Sequence, residues 1–164
     1  MRRKKFVKYR RKKEGKTNYA KRLRMLKGNS LRLVVRRSLK YITAQIIKYE
    51  NDGDKTLVSV STKELKKYGW KGYGNNIPAG YLLGLLVGKE AKKAKIQSAI
   101  FDIGLNNTNS TVLFAILKGT TDSGLNVPHS EDLYPKQERI EGKHISEEVN
   151  KMFQIVKQNI QKVD

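Results

Sequence analysis

The chain has 164 residues, 38% of them hydrophobic, which suits one domain with a substantial core and an appended segment. It contains no cysteine, so disulfides and thiolate metal sites are excluded. No apolar stretch follows the basic N-terminus, and the longest apolar run, residues 81–87, is far below the ~20 residues of a membrane helix. These features predict an intracellular, cytoplasmic protein without a membrane segment.

The net charge of +20 is concentrated near the N-terminus. Residues 1–50 carry 19 basic and 2 acidic residues, whereas residues 101–164 carry 7 basic and 9 acidic ones. Residues 1–27 alone hold 14 lysines and arginines and a single acid, Glu14. A packed core cannot hold so many like charges, so this segment must lie in solvent or bind a polyanion. Because residues 1–14 also lack a hydrophobic period, we expect them to be disordered without a partner.

Residues 17–61 show the pattern of a short helix followed by an antiparallel meander. Thr17 or Asn18 can cap the helix, and Gly28 can end it. Alternating and β-branched residues then predict strands, and a turn sequence at residues 51–54 separates the last two. The three predicted strands are residues 31–37, 41–49 and 56–61.

The rest of the chain predicts helices and one more strand. A capping box predicts a short helix over residues 61–69. Residues 112–117 suit either a strand or a helix, and the helix is favoured because Ser110 or Thr111 can cap it. Residues 125–143 look irregular and too polar for a core. The other predicted elements are a helix over 76–93, a buried strand over 98–103 parallel to an earlier strand, and a final helix with an apolar stripe from Ile145 to Ile160.

The basic N-terminal segment predicts nucleic-acid binding. Its cations can neutralise phosphates, and its aromatic residues can stack on bases. A solubilising tail or a targeting signal is the alternative, but the charge continues into the predicted strand 31–37. RNA is favoured because the chain lacks the common DNA-binding motifs, and arginine-rich disordered arms are typical of RNA binders. We therefore expect residues 1–30 to form a basic RNA-binding arm with a short helix, and residues 31–164 to form an α/β domain with a C-terminal helix.

A glycine-rich loop at residues 69–76 is a second candidate contact. Its glycines leave the backbone bare for a close approach to a sugar-phosphate chain. Tyr73 or Trp70 can stack on a base, and Lys71 can meet a phosphate. A structural turn with Trp70 buried in the core explains the same residues equally well, and the sequence leaves both interpretations open.

Catalysis is not supported by the sequence. A metal-dependent nuclease needs a cluster of carboxylates, and the predicted first strand offers Arg36 and Arg37 where an acid would be required. Asp102 is therefore expected to anchor a loop by accepting hydrogen bonds. His129 and His144 lie too far apart for a metal site, and His129 is expected to be structural or a neighbour of a phosphate. The sequence predicts a protein that is not an enzyme and has no metal or cofactor.

Several stretches taken together resemble the family of 5S-rRNA-binding proteins of the large ribosomal subunit, the universal eighteenth large-subunit protein, in its archaeal form. The stretches that carry the resemblance are 10–19, 31–36, 67–72, 101–105 and 117–129. They follow one another in the order typical of the family, and the resemblance covers about residues 9–150. Asn18 stands where the family usually has an aspartate.

The resemblance implies a three-layer, ribonuclease-H-like α/β fold without nuclease activity. It also implies binding to 5S rRNA, attachment of that RNA to the large-subunit rRNA in the central protuberance, and neighbouring ribosomal proteins as partners. The alternative is a general nucleic-acid-binding or DNA-compacting basic protein. The residues expected to contact RNA are Arg10, Arg11, Lys12, Lys13, Lys16, Thr17, Tyr19, Arg22, Arg24, Arg32, Arg36, Arg37, Lys71 and Tyr73.

Overall fold

Four strands form one mixed sheet in a computed structural model that describes residues 7–106 and 109–162. The strands are β1 (Arg32–Arg37), β2 (Ile42–Lys48), β3 (Lys55–Ser61) and β4 (Ile100–Asp102). Their spatial order is β3-β2-β1-β4. The first three strands pair antiparallel, and β4 lies parallel to β1. The predicted meander with a later parallel strand is confirmed.

Six α-helices surround the sheet in the described part of the chain. They are α1 (Arg10–Lys13), α2 (Tyr19–Lys27), α3 (Ile77–Lys93), α4 (Thr111–Asp122), α5 (Gln137–Ile140) and α6 (Glu147–Lys162). Asn18 caps α2 by accepting a hydrogen bond from the Lys21 amide at 3.0 Å, and Gly28 follows its last residue, as predicted. The capping box is present as a 3₁₀ helix over Thr62–Tyr68, and Gly69 ends it with φ +99°.

The hydrophobic core lies between one face of the sheet and α3. Alternate residues of β1 and β2 point to this face, and Leu33, Val35, Ile42, Ala44 and Ile46 have no exposed surface. Helix α3 is buried around nearly its whole circumference because the sheet covers one side and α4 covers another. Helix α6 adds Phe153, Val156 and Ile160, which confirms that its apolar stripe is core packing, although Ile145 lies outside the helix and is exposed.

Helices α3 and α4 pack with their backbones in contact. Glycine recurs at every fourth position in α3 from Gly80 to Gly88. A Cβ atom on Gly84 would lie 2.2 Å from the Ile116 carbonyl oxygen, and one on Gly119 would lie 2.2 Å from the Tyr81 carbonyl oxygen. No larger side chain fits at either position without moving a helix. The Tyr81 hydroxyl also donates to Asp122 across this interface at 2.8 Å, and burial together with this bond raises the pKa of the phenol.

The predictions for residues 125–143 and for the N-terminal segment need correction. Leu125, Val127 and Ile140 are buried, so residues 125–143 contribute to the core, although the segment was predicted to be too polar for one. It does so because Asn126 pairs with the backbone on both sides of Ser98, which draws the segment against the sheet. Part of the N-terminal segment predicted to be disordered is helical, at α1, and residues 1–6 lie outside the described residues.

The arm lies over the sheet face opposite α3. Residues of α2 and of the turn before it line a groove together with β1 and β2 residues that point away from the core. The order of layers is therefore arm, sheet and helices, and the predicted three-layer α/β fold is confirmed. The face that carries Arg32 and Arg36 of β1 is thus separated by the whole sheet from the helical layer.

Candidate nucleic-acid interface

The groove between the arm and the sheet has a volume of about 560 Å³, and its lining contains seven lysines and arginines and two acidic residues. Strand alternation places Arg32, Val34 and Arg36 on its floor, and Val34 pairs with Gln45 on the same face. The arm side is lined by Arg11, Gly15, Lys16, Thr17, Asn18, Lys21, Arg22 and Met25. The two acidic residues in the lining are Asp54 and Asp102.

Five charged side chains form a ladder of alternating sign across this groove. Asp54 accepts hydrogen bonds from Arg22 and from Arg32, each at 2.8 Å. Asp102 lies 3.4 Å from Arg32 on one side and 3.5 Å from Arg36 on the other. The ladder, in the order Arg22, Asp54, Arg32, Asp102 and Arg36, joins the arm to β1, reaches the edge strand β4 at Asp102 and returns to β1. Its three arginines and two aspartates leave a net charge of +1.

Arg32 does not have the exposure that the sequence predicted. Only 3% of its surface is accessible, because its guanidinium lies between the two carboxylates of the ladder. Strand alternation correctly predicts the face on which Arg32 lies. It cannot reveal that acids 22 and 70 residues further along the chain close over that face. Arg32 therefore holds the site together, and the expectation that it is open to a ligand is wrong.

The Arg36 guanidinium is held in place by hydrogen bonds to the backbone, although the side chain stays partly exposed. Its guanidinium donates to the Val35 carbonyl at 2.8 Å and to the Asp102 carbonyl at 3.0 Å, while half of the side chain stays exposed. Gly104 has φ +63°, and a Cβ atom there would lie 2.9 Å from Arg36 Cζ. The Gly104 amide donates to the Asp102 carboxylate at 2.8 Å, which confirms the predicted loop-anchoring role of Asp102.

Arg37 links the groove to the glycine-rich loop. It donates to the Asn75 side chain at 2.8 Å and to the Ser110 hydroxyl at 3.0 Å, and it remains exposed. Asn75 in turn donates to the Ser38 carbonyl at 2.9 Å in the turn between β1 and β2. The exposed Tyr73 hydroxyl donates to the Leu39 carbonyl in the same turn. The loop thus braces the end of the β1–β2 hairpin beside the groove.

For Trp70 the structural interpretation is correct. Its ring is 2% exposed, and its indole N–H donates to the Tyr73 carbonyl at 3.3 Å. A Cβ atom on Gly72 would lie 2.8 Å from the indole, so the glycine lets the loop fold over the ring. Lys71 and Tyr73 stay exposed, with 57% of Tyr73 accessible. The predicted stacking role is therefore left to Tyr73.

The arm offers a dense set of exposed cations. Among the residues expected to contact RNA, the exposed ones here are Arg10, Arg11, Lys12, Lys13, Lys16 and Arg24, and the half-buried ones are Thr17, Tyr19 and Arg22. Glu14 pairs with Lys16 at 2.9 Å and with Arg10 at 3.6 Å. Such exposed pairs contribute little to stability, so a phosphate can replace the glutamate at small cost.

Arg11 and the two tyrosines fix the shape of the arm. The Arg11 guanidinium donates to the Thr17 hydroxyl at 2.9 Å across the turn at Gly15, which has φ +66°. The rings of Tyr9 and Tyr19 lie with their centroids 5.2 Å apart. These contacts place Arg11 and Lys16 along the groove rather than away from it.

Residues 3–97 match the family described as ribosomal large subunit proteins 60S L5, and 50S L18. The match covers more than half of the 164 residues. The chain belongs to this family. As a member of the L5/L18 family it is a component of the large ribosomal subunit, with rRNA and ribosomal proteins as partners. The resemblance predicted from the sequence is confirmed at this level, and the archaeal form stays a prediction.

The matched residues of this L5/L18 protein contain most of the groove. They include the arm from residue 3, the first three strands, the loop 69–76 and α3. Of the ladder, Arg22, Asp54, Arg32 and Arg36 lie inside the match, and Asp102 lies just beyond it. The family assignment therefore rests on the same part of the chain that builds the cationic surface.

Proteins of the L5/L18 family are structural components rather than enzymes, in agreement with the prediction from the sequence. Over residues 7–106 and 109–162, no group of three or more acidic or histidine side chains is arranged to hold a metal ion. His129 has structural contacts: its Nδ1–H donates to the Val127 carbonyl at 2.5 Å, and Nε2 accepts from the Tyr134 hydroxyl. No helix in the described part of the chain is long and apolar enough to cross a membrane.

Proposed function

We propose that this L5/L18 protein binds 5S rRNA and helps attach it to the large-subunit rRNA in the central protuberance of cytoplasmic ribosomes. Membership of the family supports a ribosomal role, and the resemblance described above implies the RNA. The observation that carries the proposal is the cationic groove. It brings the arm together with Arg32 and Arg36 of β1 on one face, opposite the helical layer.

The groove suits an RNA backbone better than a small anion. Its cations come from the arm and from the strand β1, so they extend over several elements, and Arg37 joins them to the loop beside the groove. One arginine guanidinium can donate two parallel hydrogen bonds to the oxygens of a phosphate. Tyr73, at the end of the hairpin, is exposed and can stack on an unpaired base. In this proposal, Arg32 supports its neighbours, and the other thirteen predicted residues make the contacts.

We assign the two parts of the chain different roles. Residues 1–30 form the RNA-binding arm, and residues 31–164 form the α/β domain that holds it. Helix α2 has no buried residue, so the arm adds little to the core of the domain. Binding fixes the exposed side chains of the arm on the RNA, and counterion release offsets the entropy lost: each phosphate neutralised contributes about −0.7 to the log–log salt slope on single strands.

The test is a titration of the full chain with 5S rRNA, using tRNA and duplex DNA of matched charge as competitors at near-physiological salt. A preference for 5S rRNA of at least about 100-fold, or about 2.7 kcal/mol at 1.4 per tenfold, is the expected result. Equal binding to all three would contradict the proposal and favour a general polycation, the role of a DNA-compacting protein.

A further inference from the structure

One carboxylate joins the arm to the sheet. The Oδ2 atom of Asp54 accepts from Arg22 of α2 and from Arg32 of β1, each at 2.8 Å. Asp54 stands at the end of the β2–β3 turn, immediately before β3, and its side chain is 26% exposed. The Arg32 guanidinium is itself held from the other side by Asp102. Asp54 is therefore a fixed acceptor, and Arg22 is the mobile partner that it holds.

The arm has few other anchors to the sheet domain. The contacts of Glu14 with Arg10 and Lys16, and that of Arg11 with Thr17, are internal to the arm. Helix α2 buries no residue completely, so apolar packing fixes its position only weakly. Among the described residues, the ion pair between Arg22 and Asp54 is the polar side-chain contact that holds α2 on the sheet domain.

The structure assigns Asp54 as a positioning residue of the RNA interface: it holds Arg22, and with it α2, on the sheet before RNA binds. This inference rests on the proposed function and names a part of its mechanism. An arm that is already placed loses less conformational freedom on binding than one that moves freely. Asp54 therefore strengthens RNA binding although it carries the same charge as the RNA.

The expected change in RNA affinity on neutralising Asp54 is opposite to the one that simple electrostatics predicts. An aspartate beside an RNA backbone repels phosphates, so its neutralisation alone would strengthen binding. If Asp54 positions the arm, its neutralisation weakens binding instead. If the ion pair between Asp54 and Arg22 instead kept RNA out of the groove, neutralising Asp54 would strengthen binding, because Arg22 would then be free to bind a phosphate.

The test compares Asp54→Asn with Asp52→Asn in the full chain. Asp52 lies in the same turn and is exposed, and among the described residues it makes no ion pair, so its substitution changes the charge by the same amount. We expect Asp54→Asn to weaken binding to a 5S rRNA transcript about three- to tenfold, which corresponds to about 0.7–1.4 kcal/mol. Asp52→Asn is expected to leave affinity unchanged or slightly raised.

Hydrogen exchange of the free protein supplies a readout that does not depend on RNA. Amides of α2 should exchange faster in Asp54→Asn than in Asp52→Asn, whereas amides of β1, β2 and α3 should not. Loss of affinity should also require Arg22: in an Arg22→Gln background, Asp54→Asn should cause no further loss. An equal loss in that background would show that Asp54 acts through Arg32 and would overturn the assignment.

Two results would overturn the assignment directly. One is a rate of amide hydrogen exchange in α2 that Asp54→Asn leaves unchanged. The other is an affinity of Asp54→Asn for 5S rRNA that equals or exceeds that of Asp52→Asn. Failure of the proposed function looks different, because wild-type protein would then bind tRNA and 5S rRNA equally. In that case α2 exchange in the free protein still decides whether Asp54 places the arm.

Discussion

Arg32 and Arg36 stand four residues apart on one strand and have different roles. Arg32 is enclosed by two carboxylates, whereas half of the Arg36 side chain is exposed above the groove. The difference arises from their positions on the sheet. Arg32 lies beside the turn that carries Asp54, and Arg36 lies beside the loop at Gly104. Substitutions at the two positions should therefore affect different measurements.

Replacement of Arg36 is expected to weaken RNA binding without unfolding the protein. Arg36→Gln removes one exposed phosphate contact, so affinity should fall about fivefold to tenfold and the salt slope should become shallower by about 0.7. Binding to 5S rRNA at several salt concentrations measures both. Lys151→Gln is the control, since it removes one exposed charge from α6 on the helical layer. An equal effect of both substitutions would argue against a local contact.

Replacement of Arg32 should instead destabilise the fold. Arg32→Met leaves the buried carboxylate of Asp102 and the partly buried one of Asp54 without their shared partner. Removing one member of a buried ion pair costs about 3 kcal/mol, and Arg36 and the Gly104 amide still contact Asp102, so the low end of the usual range applies. Urea unfolding measures the loss. Full stability with reduced RNA affinity would show that Arg32 is a ligand contact.

At the scale of elements, the close packing of α3 on α4 sets the stability of the helical layer. A Cβ atom on Gly84 would lie 2.2 Å from a backbone oxygen, so the two helices must separate to accept it. Gly84→Ala should lower the free energy of unfolding by about 2–3 kcal/mol. Thermal or urea unfolding tests this expectation.

Gly28→Ala is the matched control for that substitution. Its added Cβ would meet its nearest atom at 3.7 Å in an exposed turn with φ −77°. Its effect should stay within about 0.5 kcal/mol. If Gly84→Ala were equally mild, the two helices would not be in backbone contact.

Local patterns in the sequence were sufficient for the strands and for the helices α2, α3, α4 and α6, but not for the short helices α1 and α5 or for the contacts between side chains inside the site. Alternation in β1 correctly places Leu33 and Val35 in the core. The enclosure of Arg32 depends on residues distant in sequence, so no local pattern contains it. The burial of Leu125 likewise depends on backbone pairing between Asn126 and the segment around Ser98, which isolated apolar residues in a polar stretch do not reveal.

At the scale of the whole molecule, the positive charge is concentrated in the first 50 residues, which include the arm and the strands β1 and β2 of the groove. The sheet separates this groove from the helical layer. Because α2 buries no residue, removal of residues 1–30 should leave a folded α/β domain. RNA affinity should fall by at least about 100-fold with a much shallower salt slope, since 14 of the 35 lysines and arginines, including four of the seven that line the groove, are lost.

Circular dichroism and thermal unfolding of the shortened chain control for its folding. The part that remains keeps the ion pairs of Arg32 with Asp54 and Asp102, so the floor of the groove should be preserved. Unchanged affinity after removal of the arm would contradict its assignment as the main RNA-binding segment. The boundary at residue 30 would then have no functional meaning.

Hydrogen exchange of the full chain with and without bound 5S rRNA tests the proposed RNA-binding face most directly. We expect slower exchange in the arm, in β1 and in the loop 69–76 when RNA is bound, and no change in α6. Protection confined to α4 and α6, on the opposite side of the sheet, would contradict the proposal and move the RNA-binding face to the helical layer.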